Sequence, residues 1–207
     1  MARVPQDPQI RVTEILGAAE YLFTAKGYCG TTISDIARHM GVAQGMFYYY
    51  FKSKEEILES LLDRQMSYFV SEVKDMVNTS IPASEKIGRL FQIVISNIHD
   101  KNEALFRIVQ DEHNLHIKTK IARQSRIALT PLILEIIEEG SAAQEFTVSH
   151  PQVSLDYLLF TKEFLINTYH VTPDELLSPC LRMAEAMIEK ILGTQEGTIH
   201  IILKQDV

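Results

Sequence analysis

Cysteine is scarce in this sequence, with only Cys29 and Cys180 among 207 residues. The two lie far apart without a metal-ligand spacing, so we expect unpaired thiols in a reducing compartment. No apolar run reaches the ~18 residues that a membrane-spanning helix needs. The opening segment, MARVPQDPQIR, also lacks the apolar stretch of a signal peptide. We therefore expect a cytoplasmic protein with no membrane partner.

Glycine and proline are scarce inside the long segments and collect at their ends. Apolar residues recur three and four positions apart along nearly the whole chain, which indicates amphipathic helices. Only the tail, residues 198–203, also fits a strand. An all-α fold is predicted, with bends at Pro131 and Pro179 because proline removes an amide donor. The predicted helices lie near 9–26, 32–40, 43–50, 53–77, 82–99, 103–112, 115–139, 152–169 and 173–192.

Charge is divided unevenly along the chain. Residues 1–54 carry six Lys/Arg and four Asp/Glu, whereas residues 55–207 carry fourteen and twenty-three, for a net charge of −7 overall. The first segment, which we call the head, is mildly basic, and the rest of the chain is acidic. This difference in charge indicates two functions in one chain. We predict a domain boundary there, giving domains 1–54 and 55–207.

Two short helices joined by a glycine predict a helix-turn-helix in the head. Thr32 and Asp35 fit a capping box at the start of the first of these helices. Ala37 is small where two helices would cross, and Gly41 suits a turn that requires positive φ. Phe47 would close the small core between them. An ordinary helical hairpin fits the same spacing and stays open as an alternative.

The next helix carries groups suited to DNA. Gln44 has an amide that can pair bidentately with an adenine edge, and Gly45 lets the backbone approach a groove closely. Three adjacent tyrosines follow, which cannot all face one core because successive helical residues are about 100° apart. Tyr48 and Tyr50 flank the inner face, with hydroxyls able to reach phosphate oxygens. Lys54 adds a positive charge at the start of the following helix.

About the first 58 residues resemble the DNA-binding domain of the tetracycline-repressor (TetR) family of bacterial transcription regulators. The matching residues, at fixed spacing, are Ile15-Leu16-x-Ala18-Ala19-x-x-x-Phe23, Gly27-Tyr28-x-x-Thr31-Thr32, Asp35-Ile36-Ala37, Gly41-Val42-Ala43 and Gly45-x-x-Tyr48-x-Tyr50-Phe51-Lys52-Ser53-Lys54-Glu55. The resemblance implies a three-helix DNA-binding domain followed by a helical ligand-binding and dimerisation domain. It also implies phosphate contacts by Thr32, Tyr48, Tyr50 and Lys54, base contacts by Gln44 and Gly45, and a backbone contact by Arg11.

Position 43 departs from the family pattern. It is often a serine that caps the recognition helix and touches DNA, whereas here it is Ala43. Losing such a cap typically costs about 1 kcal/mol. We expect a looser start of this helix, or another way of capping it.

One head offers few contacts, whereas two heads held about 34–36 Å apart, or a small multiple, would read a palindromic operator. The resemblance implies that the last two helices pair with their twins in a homodimer. The stripe predicted to form this interface comprises Leu177, Leu181, Ala184, Ile188 and Ile191, with Leu158, Leu159, Leu165 and Ile166 on the preceding helix. Alternatively, the stripe faces the protomer's own core, because an apolar stripe does not identify its partner.

The middle helices are then expected to enclose a site for an unknown, largely apolar small-molecule effector. Candidate wall residues are Phe69, Phe91, Ile95, Phe106, Ile133, Tyr157, Phe160 and Phe164, each of which also fits a plain core position. The family likeness implies that the dimer has two forms. The effector binds the form in which the spacing of the two heads does not match the operator, and so releases DNA. The expected function is a DNA-binding transcription regulator, most simply a repressor.

Enzymatic signals are weak. His113 and His116, or His99 with Asp100, would supply ligands to an all-helical metal-dependent hydrolase, but no matching further ligands can be identified. The sequence has no Gly-rich phosphate loop and no G-x-S-x-G elbow. We therefore predict no catalytic residue, no metal site and no cofactor. The hydrolase remains the alternative, together with a module that senses ligand without touching DNA.

Overall fold

The computed structural model describes residues 7–98, 103–168 and 171–203, and in these ranges the regular secondary structure is helical, with no strand. The all-α class predicted from the sequence is confirmed. The helices are α1 (Pro8–Lys26), α2 (Ile33–Met40), α3 (Gln44–Tyr50), α4 (Lys54–Val77), α5 (Ala83–Ser96), α6 (Glu103–Gln110), α7 (Leu115–Ala142), α8 (Pro151–Thr168) and α9 (Asp174–Leu192). Pro131 and Pro179 lie inside α7 and α9, and neither ends its helix. None of the helices described is both long and apolar enough to span a bilayer.

The chain packs as two compact units. The first comprises Met1–Ser67 and Glu103–Ile121, and the second comprises Tyr68–Asn102 and Ala122–Val207. The first unit therefore holds the described part of the predicted DNA-binding segment, 1–54, together with α6 and the first turns of α4 and α7. That the DNA-binding domain ends at residue 54 remains a prediction.

The core of the first unit grows from the apolar face of α1. Ile15, Ala19 and Leu22 follow one another at steps of four and three, so one side of the helix is buried. They belong to a cluster with residues of α2, α3, α4, α6 and α7, namely Ile36, Phe47, Ile57, Leu61, Leu105, Ile108 and Ile117. The short α2 and α3 are thus held by packing, because isolated helices of that length are marginal in water.

The second unit has its own apolar core, which includes Phe91, Leu129, Ile133, Leu158 and Ile188. Residues from α4, α5, α7, α8 and α9 all contribute to this cluster. The apolar side chains of this cluster are buried within the protomer. This matters for function, because only apolar side chains left outside the cluster are available to a partner.

A distant carboxylate caps α5. Pro82 stands at the N-cap and supplies no side-chain hydrogen bond. Instead, Glu145 accepts hydrogen bonds from the amides of Ala83 and Ser84, at 3.1 and 2.9 Å, and from the Ser84 hydroxyl at 2.7 Å. Burial alone would raise the pKa of Glu145, but these hydrogen bonds and nearby Lys86 outweigh it and hold the pKa below its ordinary value.

The C-terminal segment is held without a partner strand. Ile199 and Ile201 are buried in the core of the second unit. The Glu189 carboxylate accepts the amides of Thr198 and Ile199 at 2.8 and 2.9 Å, and Glu185 accepts that of Ile201 at 2.7 Å. The strand considered possible at 198–203 is absent, because side-chain carboxylates on α9 take the amides that a neighbouring strand would bind.

Candidate nucleic-acid interface

The turn between α2 and α3 has the predicted geometry. The Asp35 amide donates to the Thr32 hydroxyl oxygen at 3.1 Å, and the Thr32 amide donates to the Asp35 carboxylate at 3.0 Å, which completes the capping box. Hydrogen bonds from the hydroxyl and the amide of Thr32 hold the pKa of Asp35 below its ordinary value. Gly41 adopts φ 66°, and the Val42 amide donates to the carbonyl of Ala37 at 3.0 Å. The two helices are therefore joined by a tight left-handed turn.

The α3 helix has one buried and one exposed edge. Phe47 is fully buried, while Gln44 and Gly45 are exposed. Tyr48 is 56% exposed and Tyr49 82% exposed. Base or phosphate contacts were predicted for four residues of α3. Three of them, Gln44, Gly45 and Tyr48, lie on this exposed edge.

Tyr50 is placed differently from Tyr48. It is half-buried against the core of the first unit, and its ring meets that of Tyr49 edge-on with centroids 5.0 Å apart. The tyrosine row thus combines one packing ring with two outward rings. Sequence reasoning passed over Tyr49, which is the most exposed of the three, because its position carries no family match.

The remaining predicted DNA contacts lie on other elements. Thr32 is exposed, and its hydroxyl also donates to Asp35 at 2.6 Å. Arg11 is half-buried on α1 and forms an ion pair with Glu14 at 2.7 Å. Ala43 makes no side-chain cap, as its departure from serine predicts. Contact with DNA by any of these side chains remains a prediction.

Lys54 has partners that the sequence did not suggest. Its ammonium donates to the carbonyls of Tyr28 and Thr31 at 2.6 and 2.9 Å, and it lies 4.2 Å from the centroid of the Tyr28 ring. These acceptors are 26 and 23 residues away along the chain. No local pattern could have identified them, because the contact depends on tertiary packing.

The predicted effector-site residues do not form one lining. Phe91 and Ile95 are buried in the core of the second unit, with Phe69 and Ile133 in or against the same cluster. Phe106 belongs to the first unit. Tyr157, Phe160 and Phe164 are 58%, 64% and 49% exposed. These three lie on an outer face of α8, since the opposite face of the helix already fills the core.

Most of the stripe predicted for dimerisation faces the protomer's own core, as the stated alternative had it, and only Leu177 and Ile166 are half-buried outside that cluster. Ala184 and Ile188 are buried in the protomer's own core, as are Leu158, Leu159 and Leu165, and Leu181 and Ile191 pack against it. The neighbouring stripe is the exposed one. Its apolar members, which we call the outer face, are Val153, Tyr157, Phe160 and Phe164 on α8 and Leu176, Met183 and Met187 on α9.

The two helices that carry the outer face pack against each other. Val153 and Tyr157 of α8 and Lys190 and Ile191 of α9 line the same depression of about 390 Å³. The α8 members follow one another at steps of four, three and four, and so do Leu176, Cys180, Met183 and Met187. Such a spacing places the side chains along one side of each helix. Sequence periodicity could have found this stripe, but it could not rank it against the buried one.

The residues considered for a metal-dependent enzyme have other partners. His113 Nδ1 lies 2.8 Å from the Asp111 carboxylate, and His116 Nε2 lies 2.6 Å from that of Glu55. In the ranges that the structure describes, no three His, Cys, Asp or Glu residues are grouped so as to hold a metal ion. His99 and Asp100 lie outside the described residues. The geometry gives no support to the hydrolase alternative.

Residues 15–61 match the family model described as bacterial regulatory proteins, tetR family. Over 126 residues the chain is 35% identical to the fatty acid metabolism regulator protein of Bacillus subtilis, covering 60% of this chain and 59% of that protein. Over 108 residues it is 31% identical to the HTH-type transcriptional repressor KstR2 of Mycolicibacterium smegmatis, covering 52% of each. The matches thus span only a little over half the length of these curated relatives.

Solved structures match over more of the chain. A TetR/AcrR-family regulator from Thermobifida fusca covers 88% of this chain and 97% of its own, with a TM-score of 0.65 at 24% identity. The regulator FadR from Bacillus subtilis, in complex with stearoyl-CoA, covers 91% and 99%, with a TM-score of 0.64 at 22% identity. At such identities the likeness shows the fold. It extends through both units of the chain.

Proposed function

We propose that this chain is a DNA-binding transcription regulator of the TetR family, a repressor released from its operator by a small molecule. The match of residues 15–61 to the tetR family model and the likeness to regulators of that family support this proposal. Its relatives include proteins named as a transcriptional repressor and as a fatty acid metabolism regulator. Transcription regulators of this kind are not enzymes. The cytoplasm, where the genome lies, is the compartment in which this function would operate.

The exposed edge of α3 carries the proposal. Phe47 anchors the helix in the core, so Gln44, Gly45 and Tyr48 are presented on its outer side. An α-helix fits the major groove, where an amide such as that of Gln44 can pair with an adenine edge. Hydroxyls such as those of Tyr48 and Thr32 suit phosphate oxygens, which position the helix without reading sequence. Arg11 and Tyr50 are further candidates for backbone contacts.

Two such heads are needed for a tight and specific site, and we propose a homodimer formed through the outer face. The outer face presents four apolar side chains of α8 and three of α9 to solvent. Exposed apolar stripes on two helices that pack against each other indicate an interaction site. An isologous dimer, in which α8 and α9 pack against the same helices of the second protomer, would bury the outer face of both protomers. Its two-fold symmetry would match that of a palindromic operator.

For the effector we propose a long-chain acyl thioester as the first candidate. FadR of Bacillus subtilis was solved in complex with stearoyl-CoA, and a relative is named a fatty acid metabolism regulator. The core around Phe91 and Ile95 is apolar, as the surroundings of a bound acyl chain would have to be. The effector shifts the balance only by its differential affinity for the two forms, so DNA and effector weaken each other reciprocally.

Binding to a duplex selected from a randomised pool by the wild-type protein tests the proposal. Gln44→Ala should relax preference at one base pair per half-site by roughly 1–3 kcal/mol. Tyr48→Phe should weaken binding by a similar factor on all sequences, because a phosphate contact carries no sequence information. Tyr68→Phe, at a tyrosine of α4 that is 63% exposed, is the matched control and should change neither quantity.

Wild-type protein that retains no duplex at low salt would refute DNA binding and favour a ligand-sensing module. Titration of stearoyl-CoA into the DNA complex tests the effector. Release of the duplex at micromolar concentrations, absent with free coenzyme A, is the expected result. Retention of the duplex at saturating stearoyl-CoA would contradict the acyl thioester assignment while leaving DNA binding intact.

A further inference from the structure

Lys54 is the first residue of α4, and its ammonium reaches back to the connection between α1 and α2. It donates to the Tyr28 carbonyl at 2.6 Å and to the Thr31 carbonyl at 2.9 Å. The same nitrogen lies 4.2 Å from the centroid of the Tyr28 ring, within the range of a cation–π interaction. An ammonium has three N–H donors, so two are already committed. We call this set of contacts the Lys54 clamp.

The connection that Lys54 binds is itself rigidly held. Thr31 is fully buried, and its single hydroxyl proton is shared between the carbonyl oxygens of Gly27 and Leu22, at 2.8 and 3.2 Å. The Tyr28 ring packs edge-on against Phe23, with centroids 5.1 Å apart. Both contacts attach the connection to the end of α1. Lys54 therefore binds a fixed point rather than a mobile loop.

The clamp lies next to the groups that would touch DNA. Thr31 immediately precedes Thr32, the N-cap of α2, and α4 follows α3 after only three residues. The first turn of α4 is thus joined to the start of α2 through Lys54 and to the end of α3 through the chain. The distance between the ammonium and the two carbonyls constrains how α2 and α3 are oriented against α4.

We propose that Lys54 is a positioning residue, which holds the start of α4 against the α1–α2 connection and so sets the orientation of the recognition helix. This differs from the phosphate contact that the family resemblance implies for the same position. Two of the three ammonium donors are taken by short charge-assisted hydrogen bonds to these carbonyls, so at most one donor is left for a phosphate while the clamp holds. The role in DNA binding rests on the proposed function, whereas the clamp itself does not.

The clamp also gives a route for control. A displacement or rotation of the first turn of α4 changes the reach from Lys54 to the two carbonyls. Either the hydrogen bonds break or the α1–α2 connection moves with α4. If the hydrogen bonds break, the exposed edge of α3 is free to change its orientation relative to α4. If they hold, the connection moves together with α4 and that orientation is kept.

Lys54→Met separates the two roles, because methionine keeps most of the aliphatic length and removes the charge. Loss of two charge-assisted hydrogen bonds should weaken binding about ten- to a hundred-fold at every salt concentration. The slope of log affinity against log salt should stay the same, whereas loss of a phosphate contact lowers it by about one per head. Lys74→Met removes a charge from an exposed position on the same helix and should change neither.

A readout without DNA distinguishes positioning from simple stabilisation. The amide resonances of α3 should shift in DNA-free Lys54→Met, and Lys54→Arg should restore them in part. A merely structural contribution would lower the unfolding midpoint and leave those resonances in place. Affinity unchanged in Lys54→Met, or a flatter salt slope with α3 resonances unmoved, overturns the proposal.

Wild-type protein supplies a test that survives misfolding of the variant. The Lys54 ammonium should show slow proton exchange without DNA, and its resonance should stay in place when the selected duplex is added. A hydrogen-bond coupling between this nitrogen and phosphorus in the complex would assign Lys54 to phosphate and refute positioning. If the wild type binds no duplex, the proposed function fails, while the DNA-free spectra still decide whether the clamp exists.

Discussion

Phe160→Ser tests the outer face as the dimer interface. Phe160 is 64% exposed in the protomer. With roughly 200 Å² for a phenylalanine side chain, about 130 Å² is available for burial by a partner. At about 25 cal/mol per Å² this corresponds to about 3 kcal/mol per protomer and about 6 kcal/mol for the two copies of an isologous dimer.

The substitution could therefore raise the dissociation constant of the dimer by at most about 10⁴-fold. The real increase is smaller, because association does not return the whole transfer free energy. We expect at least a hundred-fold weaker dimer, measured by sedimentation equilibrium. Ile127→Ser is the matched control, since Ile127 on α7 is equally exposed at 64% but lies outside the outer face. A Phe160→Ser dimer as tight as the wild type would refute the interface, as would dissociation caused by the control alone.

Two predictions concern the stability of the second unit. Glu145→Gln should lower the free energy of unfolding by about 1 kcal/mol at pH 7, since the charged acceptor of the Ser84 hydrogen bonds is lost. The folded-state pKa of Glu145 lies below its ordinary 4.5, so this stabilisation is present above that pH and disappears as the pH falls through the folded-state value. Urea unfolding at pH 7 and pH 3.5 checks it, and a pH-independent difference between variant and wild type would contradict it. Gly88→Ala should cost about 1–3 kcal/mol, because a Cβ there would collide with the His200 carbonyl oxygen. Gly17→Ala, where a Cβ meets no neighbour, should instead be neutral or stabilising, and equal destabilisation by both would argue against the close approach of the tail.

Much of the head could be predicted from sequence because its determinants are local. The Thr32–Asp35 capping box, the left-handed Gly41 and the buried Phe47 each follow from residue types at short spacing. A capping box needs only four consecutive residues, and a positive φ needs only a glycine. These features therefore appear in the structure where the sequence placed them.

The outer face shows why periodicity alone was insufficient. In α9 the residues 177, 181, 184, 188 and 191 and the residues 176, 180, 183 and 187 follow the same steps of four and three. Both stripes satisfy the rule for an amphipathic helix. Ala184 and Ile188 were placed in the core by the packing of α8 and α9 together, and Met183 and Met187 were left outside. Which stripe meets solvent depends on neighbours that are distant in sequence.

Short-range spacing and residue chemistry are enough to predict the helical class, the likeness of residues 15–61 to the tetR family model, and the α3 edge with Gln44 and Tyr48. That Lys54 binds carbonyls of the α1–α2 connection, and that Glu145 caps α5 from 62 residues away, could be found only in the folded structure. Hydrogen bonds between distant segments depend on where folding brings the backbone. These distances cannot be read from the spacing of residues along the chain.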